Sequence, residues 1–176
     1  MLFLTQIAAM SSNRTLVLDH QTIDQKLRRI AYQIYEYNYR EEEIVLVAIE
    51  KQGVELANRI KPILEEISGK KFTMLRLKVD KKNPLKTPEL NESGDVMNDR
   101  SVILVDDVLN SGRTLMYGAR YILEFPVKKL TTAVLVDRRH RRFPIKADFA
   151  GLTLSTTLQD HISVVFKKGK DAVYLE

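Results

Sequence analysis

The sequence predicts an α/β protein: a parallel sheet flanked by helices, with a small hood or β-hairpin appended. Three observations carry that prediction. Short apolar runs rich in β-branched residues, Ile44–Ile49, Val102–Val105 and Thr131–Val136, are too short for helices. They read as strands buried on both faces, the habit of parallel sheets. Each run ends in a polar loop, and after the first two the apolar residues recur at helical spacing.

The chain has 176 residues, enough for one domain with a core of its own. It has no cysteine, which excludes a disulfide framework, a thiolate metal site and a Cys nucleophile, and fits a cytoplasmic protein. A net charge of +5 permits a polyanionic partner without requiring one. No run is long enough to span a membrane. Met1 to Met10 is apolar but lacks the basic start of a secretory signal. Residues 1–14 are expected to be a flexible tail, and residues 15–176 the domain.

Thr15–Leu18 is a short β-like run. Thr22-x-x-Gln25 has capping-box form and is expected to open a helix with Ile23, Leu27, Ile30, Ala31 and Ile34 on one face. Lys26, Arg28 and Arg29 lie off that face, as a solvated side or as part of a nucleic-acid surface. Tyr32, Tyr35, Tyr37 and Tyr39 crowd the helix end, a pattern of core or subunit contact, so a homodimer or larger homo-oligomer is expected. Ile44–Ile49 ends in Glu50-Lys51-Gln52-Gly53, and a helix follows from about Val54 to Ile67. Pro62 should kink that helix or mark a weak first turn. Phe72–Val79 alternates, as a strand with one wet face does. Asp80–Arg100 has no periodicity and reads as a long loop or loose hairpin, suited to a lid.

The most informative stretch is Ser101–Thr114. A buried strand is closed by Asp106 and Asp107, and the turn Asn110-Ser111-Gly112-Arg113-Thr114 follows. A helix then places Leu115, Ala119, Ile122 and Leu123 on one face. In open α/β sheets the ligand sits beyond the carboxyl ends of the strands. A tight turn opening a helix aims N–H groups at an anion, so it suits a phosphate. The acids suit ribose hydroxyls or a hydrated Mg²⁺. Either feature alone is common in solvated loops; the unbroken run is specific. Neither G-x-G-x-x-G nor the P-loop pattern occurs. Thr131–Val136 leads into the basic loop Asp137–Asp148, and Ile162–Phe166 with Ala172–Leu175 forms an edge hairpin read as structural.

Val-Ile-Leu-Val-Asp-Asp-Val-Leu-Asn-Ser-Gly-Arg-Thr resembles the 5-phosphoribosyl-1-pyrophosphate (PRPP) signature of type I phosphoribosyltransferases. The resemblance implies that Asp106 and Asp107 are catalytic, hold the ribose hydroxyls, and hold Mg²⁺ directly or through water. It implies that Val108, Leu109, Asn110, Ser111, Gly112, Arg113 and Thr114 complete the ribose and 5′-phosphate site. Lys51, Gln52 and Gly53 then form the pyrophosphate loop, where the relatives have Thr-Arg-Gly. Their lid carries Tyr-Arg-Asp. Val79-Asp80-Lys81-Lys82 stands there instead, and Lys81 or Lys82 supplies charge without the planar fork of Arg.

The run Val-Leu-Val-Asp-Arg-x-His-Arg-x-x-Pro-Ile-Lys-Ala-Asp-Phe-x-Gly is similar to pyrimidine-operon regulators of the PyrR type. Those proteins bind uridine nucleotides and an mRNA hairpin, and many carry uracil phosphoribosyltransferase activity. That similarity implies Val136, Asp137 and Arg138 on the base side, and Arg28, Arg29, His140, Arg141 and Lys146 for RNA. Arg28 and Tyr32 stand where the RNA-binding members have a small polar residue and a His, and Leu152 where they have a Lys. The expected reaction is uracil plus PRPP giving UMP and pyrophosphate with Mg²⁺. The alternatives are a uridine-nucleotide-sensing RNA regulator and a phosphoribosyltransferase for another base.

Overall fold

In chain order the elements are β1 (Thr15–Leu18), α1 (His20–Tyr37), β2 (Ile44–Ile49), α2 (Gln52–Ser68), β3 (Phe72–Lys78), β4 (Glu89–Leu90), β5 (Ser101–Leu109), α3 (Arg113–Ile122), β6 (Lys129–Asp137), β7 (Phe149–Thr153), β8 (Ile162–Val165) and β9 (Ala172–Leu175). The computed structural model describes residues 14–83, 85–155 and 160–176, so the expected N-terminal tail, save Arg14, lies outside the described residues.

Alternation along buried strands builds two cores. Ile44, Leu46, Ala48, Ile103 and Val105 face the layer of α1 and α2. Val45, Val47, Val102 and Leu104 face α3 on the other side. The sheet order is β4-β3-β2-β5-β6-β7, parallel except for β4. From β2 the chain crosses to β3 on one side, and from β5 it crosses to β6 on the other. The loops leaving β2 and β5 therefore diverge, and diverging loops leave a crevice at the carboxyl edge. Beside this sheet a second one, ordered β1-β9-β8 and antiparallel, forms a hood from both ends of the domain.

The expected apolar face of α1 is the buried one. Its start differs: Asp19 is the cap, its side chain accepting from the Thr22 N–H at 2.8 Å. A carboxylate at that position caps better than the Thr22 hydroxyl of the capping-box reading. α2 runs unbroken through Pro62, because Leu56, Ala57, Ile60 and Leu64 are packed on both sides of it. On α3 the buried face is Leu115, Gly118, Ala119 and Ile122; Leu123, at the helix end, is 63% exposed. β5 extends to Leu109, so the two acids lie within the strand instead of closing it. β7, whose glycine-interrupted run carries little strand signal, pairs with the end of β6. Arg29 donates to the Ala150 and Gly151 carbonyls of this edge strand at 2.8 and 2.6 Å. Within the segment read as a loop or loose hairpin, β4 pairs antiparallel with the end of β3, Leu90 opposite Leu77 and Glu89 opposite Lys78.

A buried ion pair fixes the hood. Asp171, 4% exposed between β8 and β9, accepts from Arg59 Nε and Nη2 at 2.8 and 2.9 Å, and from the Lys167 N–H at 2.7 Å. The Arg59 guanidinium lies 4.3 Å from the Phe166 ring centroid. Removing one partner of such a pair leaves the other charge uncompensated. Asp171→Ala is expected to lose about 3 kcal/mol of unfolding free energy. Urea unfolding checks this, and a loss below about 1 kcal/mol, the worth of an exposed pair, would mean that the hood is held by other contacts.

Candidate active site

The loop after β2 has little freedom. Lys51 has φ 72° and ψ −108°, a region that non-glycine residues rarely enter. A Cβ at Gly53 would lie 2.7 Å from the Val105 carbonyl oxygen and 3.2 Å from the Asp106 Cα. Glycine therefore lets this loop rest directly on β5, against the first acid.

Asp106 is 4% exposed, and its Oδ1 accepts the Asp107 N–H at 3.0 Å. Burial first, and the Asp107 carboxylate second, push the Asp106 carboxyl well above the usual carboxylate range; the Lys81 charge opposes them. Gly112, at φ 84°, turns the chain into α3. The first bond inside α3 runs from the Met116 N–H to the Gly112 carbonyl at 2.9 Å; the Arg113 N–H donates to Ser111 Oγ at 3.3 Å, and the Thr114 and Leu115 N–H groups aim out of the helix end. The back of this turn is occupied. The Ser111 carbonyl accepts from the Arg142 and Phe143 N–H groups at 2.8 and 3.1 Å, and a Cβ at Gly112 would lie 2.8 Å from Ile145 Cγ2.

Arg138 bridges the turn and the hood. It is 4% exposed, and its guanidinium donates to Asn110 Oδ1 at 3.1 Å and to the Asp160 carbonyl at 2.5 Å. Opposite the turn, β8 is an edge strand of the hood. His161 and Glu176 exchange both main-chain bonds at 2.8 Å. Antiparallel pairs alternate between bonded and non-bonded. Ile162 and Val164 therefore aim their N–H and C=O groups off the open edge. Gln52 Nε2 donates to the Val164 carbonyl at 2.6 Å.

These pieces enclose a cavity of about 410 Å³, lined by Gln52, Lys81, Asp106 through Leu115, Arg138 and His161 through Val164. A neighbouring cavity of about 370 Å³ is lined by Lys51, Lys81 and Lys82, together with Lys78, Lys86, Glu50, Asp80 and Glu89. Lys81 lines both. The structure thus gathers Asp106 to Thr114, Gln52, Lys81 and Arg138 in one place, with Lys51 and Lys82 beside it and Gly53 packed against β5. Val136 and Asp137 do not line the cavity. Val136 is a buried strand residue paired with Val108. The Asp137 carboxylate accepts from the Arg139 N–H at 2.9 Å and from Arg141 Nη2 at 2.6 Å. Arg28, Arg29, His140, Arg141 and Lys146 also lie away from the lining. Arg28 is 4.0 Å from Glu66, and Lys146 is 3.8 Å from Asp148. Ile162 to Val164, expected from the sequence to be a purely structural hairpin strand, line the cavity together with His161; the only local signal was an apolar run too short to reveal what it covers.

Among the described residues no group of three or more His, Cys, Asp or Glu side chains converges to hold a metal. The acid pair still suits Mg²⁺, which keeps waters and commonly takes one or two carboxylates plus substrate oxygens. A buried carboxyl raised by its acidic neighbour is relieved by a nearby cation. No helix among the described residues is long and apolar enough to cross a membrane.

The model of the phosphoribosyl transferase domain matches residues 13–167. Bifunctional protein PyrR of Clostridium acetobutylicum is 36% identical over 159 residues, covering 86% of this chain and 89% of the relative. Its namesake in Macrococcus caseolyticus is 35% identical over 175 residues, covering 93% and 99%. Among solved structures, a hypoxanthine phosphoribosyl transferase of Trypanosoma cruzi superposes with a TM-score of 0.75 at 17% identity, covering 92% of this chain and 91% of that one. A hypoxanthine-guanine phosphoribosyltransferase of Bacillus anthracis gives 0.69 at 19%, covering 81% and 83%. These two speak for the fold alone. The chain belongs to the phosphoribosyl transferase domain family.

Proposed function

We propose that the protein transfers the phosphoribosyl group of PRPP to uracil, giving UMP and pyrophosphate. One observation carries the reading: the acid pair, the anion-binding turn and an open strand edge line the same cavity. The 5′-phosphate sits at the start of α3, on the N–H groups from Ser111 to Thr114. The ribose lies over Asp106 and Asp107. Ile162 on the open edge of β8 offers an N–H and a C=O side by side. Uracil offers the complementary C=O and N–H of its imide, so the base lies under the hood with Arg138 alongside. The leaving pyrophosphate faces Lys51, Gly53, Lys81 and Lys82. Bond cleavage at the anomeric carbon builds positive charge on the sugar, and the carboxylates beside the ring stabilise it. Mg²⁺, when bound through Asp106 and Asp107, supplies charge to the pyrophosphate oxygens. The hood and the lid exclude water that would capture the sugar.

Pyrophosphate release from PRPP and Mg²⁺ with a panel of bases tests this. Release with uracil and not with hypoxanthine or guanine is the expected result; release with a purine alone would overturn the base assignment.

A second reading, a nucleotide-sensing RNA regulator, is favoured by the joint between the phosphate turn and the basic loop at Ser111 and Ile145. It places a polyanion on Arg28, Arg29, His140, Arg141 and Lys146. Arg141→Ala is then expected to weaken binding to a pyrimidine-leader RNA hairpin about fivefold. The slope of log affinity against log salt should fall by about 1, one phosphate contact. Filter binding across a salt series reads both.

A further inference from the structure

Gln52 stands in the pyrophosphate loop, but its side chain is engaged elsewhere. Its Nε2 donates to the Val164 carbonyl at 2.6 Å, across to the hood. A carboxamide brings no charge to a diphosphate, and this one already has its partner. We propose that Gln52 is a positioning residue for the base: a strap that sets the height of the β8 edge above the phosphate turn. This rests on the base site proposed above and deepens it.

Three features make the strap effective. The loop that bears it cannot drift, because Gly53 is seated on Val105 and Asp106 and Lys51 is held at positive φ. The strand it holds is an edge strand, bonded to β9 on one side only. The same helix grips the hairpin a second time, Arg59 binding Asp171 two turns further along α2. Helix α2 therefore carries the pyrophosphate loop at its first turn and fixes the hood at two points. The outward-facing main chain of Ile162, two residues from the strapped carbonyl, keeps its distance from Asp106 and Gly112 only while β8 cannot slide.

The test compares two ligands that differ by the base. UMP and ribose 5-phosphate are titrated calorimetrically, with Mg²⁺, into the parent protein, Gln52→Met and Gln52→Arg. Methionine keeps the length and removes the donor; arginine keeps N–H donors. Loss of one hydrogen bond corresponds to about three- to tenfold in affinity. Gln52→Met is expected to weaken UMP by that factor and to leave ribose 5-phosphate within about twofold. Gln52→Arg is expected to hold UMP within about twofold of the parent. The strap is overturned if Gln52→Met leaves UMP unchanged, weakens both ligands alike, or weakens ribose 5-phosphate alone, which would make Gln52 a phosphate ligand. It is also overturned if Gln52→Arg loses UMP as Gln52→Met does. A parent protein that binds UMP no better than ribose 5-phosphate removes the base site itself and the strap with it.

Discussion

Asp106→Asn is expected to lower kcat/KM by about 100-fold or more and to raise the melting temperature at pH 7. The first effect follows from removing a carboxylate beside the developing positive charge of the sugar. The second follows from linkage. Asp106 is buried against Asp107, so its folded carboxyl titrates above its unfolded value. Below the unfolded value the group is protonated in both states and costs nothing. As pH rises from there through the folded value, the unfolded state releases its proton first and the folded state loses stability. At pH 7 the parent carries the loss accumulated up to that pH, and the asparagine variant carries none. The melting-temperature gap between the two should therefore shrink as the pH is lowered toward 4. Scanning calorimetry from pH 4 to 7 reads the gap, and a steady-state assay reads the activity. An asparagine variant that melts lower than the parent at pH 7 would mean that the carboxylate stabilises the fold. Asp107→Asn should lose turnover comparably with a smaller gain in stability, because it removes the neighbouring charge but leaves the Asp106 carboxyl buried.

Gly53→Ala is expected to cost about 1–3 kcal/mol of stability and about 100-fold in kcat/KM. The new methyl group would sit 2.7 Å from a backbone carbonyl in a central strand, and backbone at the middle of a sheet does not give way. The loop must lift instead, carrying Lys51 and Gln52 away from the acids. A shift of about 1 Å in a positioning element is enough for a loss of that size. Gly69→Ala is the control. A methyl group there meets nothing within 4 Å and strains only a left-handed helix end at φ 67°, so stability drops by about 1 kcal/mol while turnover is kept. Equal activity in the two variants would show that the loop does not need its seat on β5.

The parts of this molecule that could be read from the chain are those whose meaning is local. The face of α1 shows as a 3.6-residue rhythm, the two-sided burial of β2 and β5 as unbroken apolar runs, and the acid pair with its turn as a contiguous string from Asp106 to Thr114. What could not be read depends on residues far apart in sequence. Arg138 looks like one member of a basic run, yet it is buried because Asn110 and Asp160 meet there, 28 and 22 residues away. Gln52 looks like a weak substitute for an arginine until Val164, 112 residues on, accepts its N–H. Val136 and Asp137 end a strand in the position expected of base contacts, but the cavity is lined by the residue after them, because the strand's last carboxylate turns to Arg139 and Arg141. Strand periodicity gives the layer a residue belongs to; it does not say which loop covers the end of the sheet.

The hood joins the two extremes of the domain, with β9 as its middle strand between β1 and β8. During synthesis the first strand must wait for the last one: β1 and β8 share no partner until Ala172–Leu175 have left the ribosome. The strands of the central sheet all precede β9, the last of them ending at Thr153. A chain cut just before Ala172 would keep the central sheet and leave β1 and β8 without the strand that joins them.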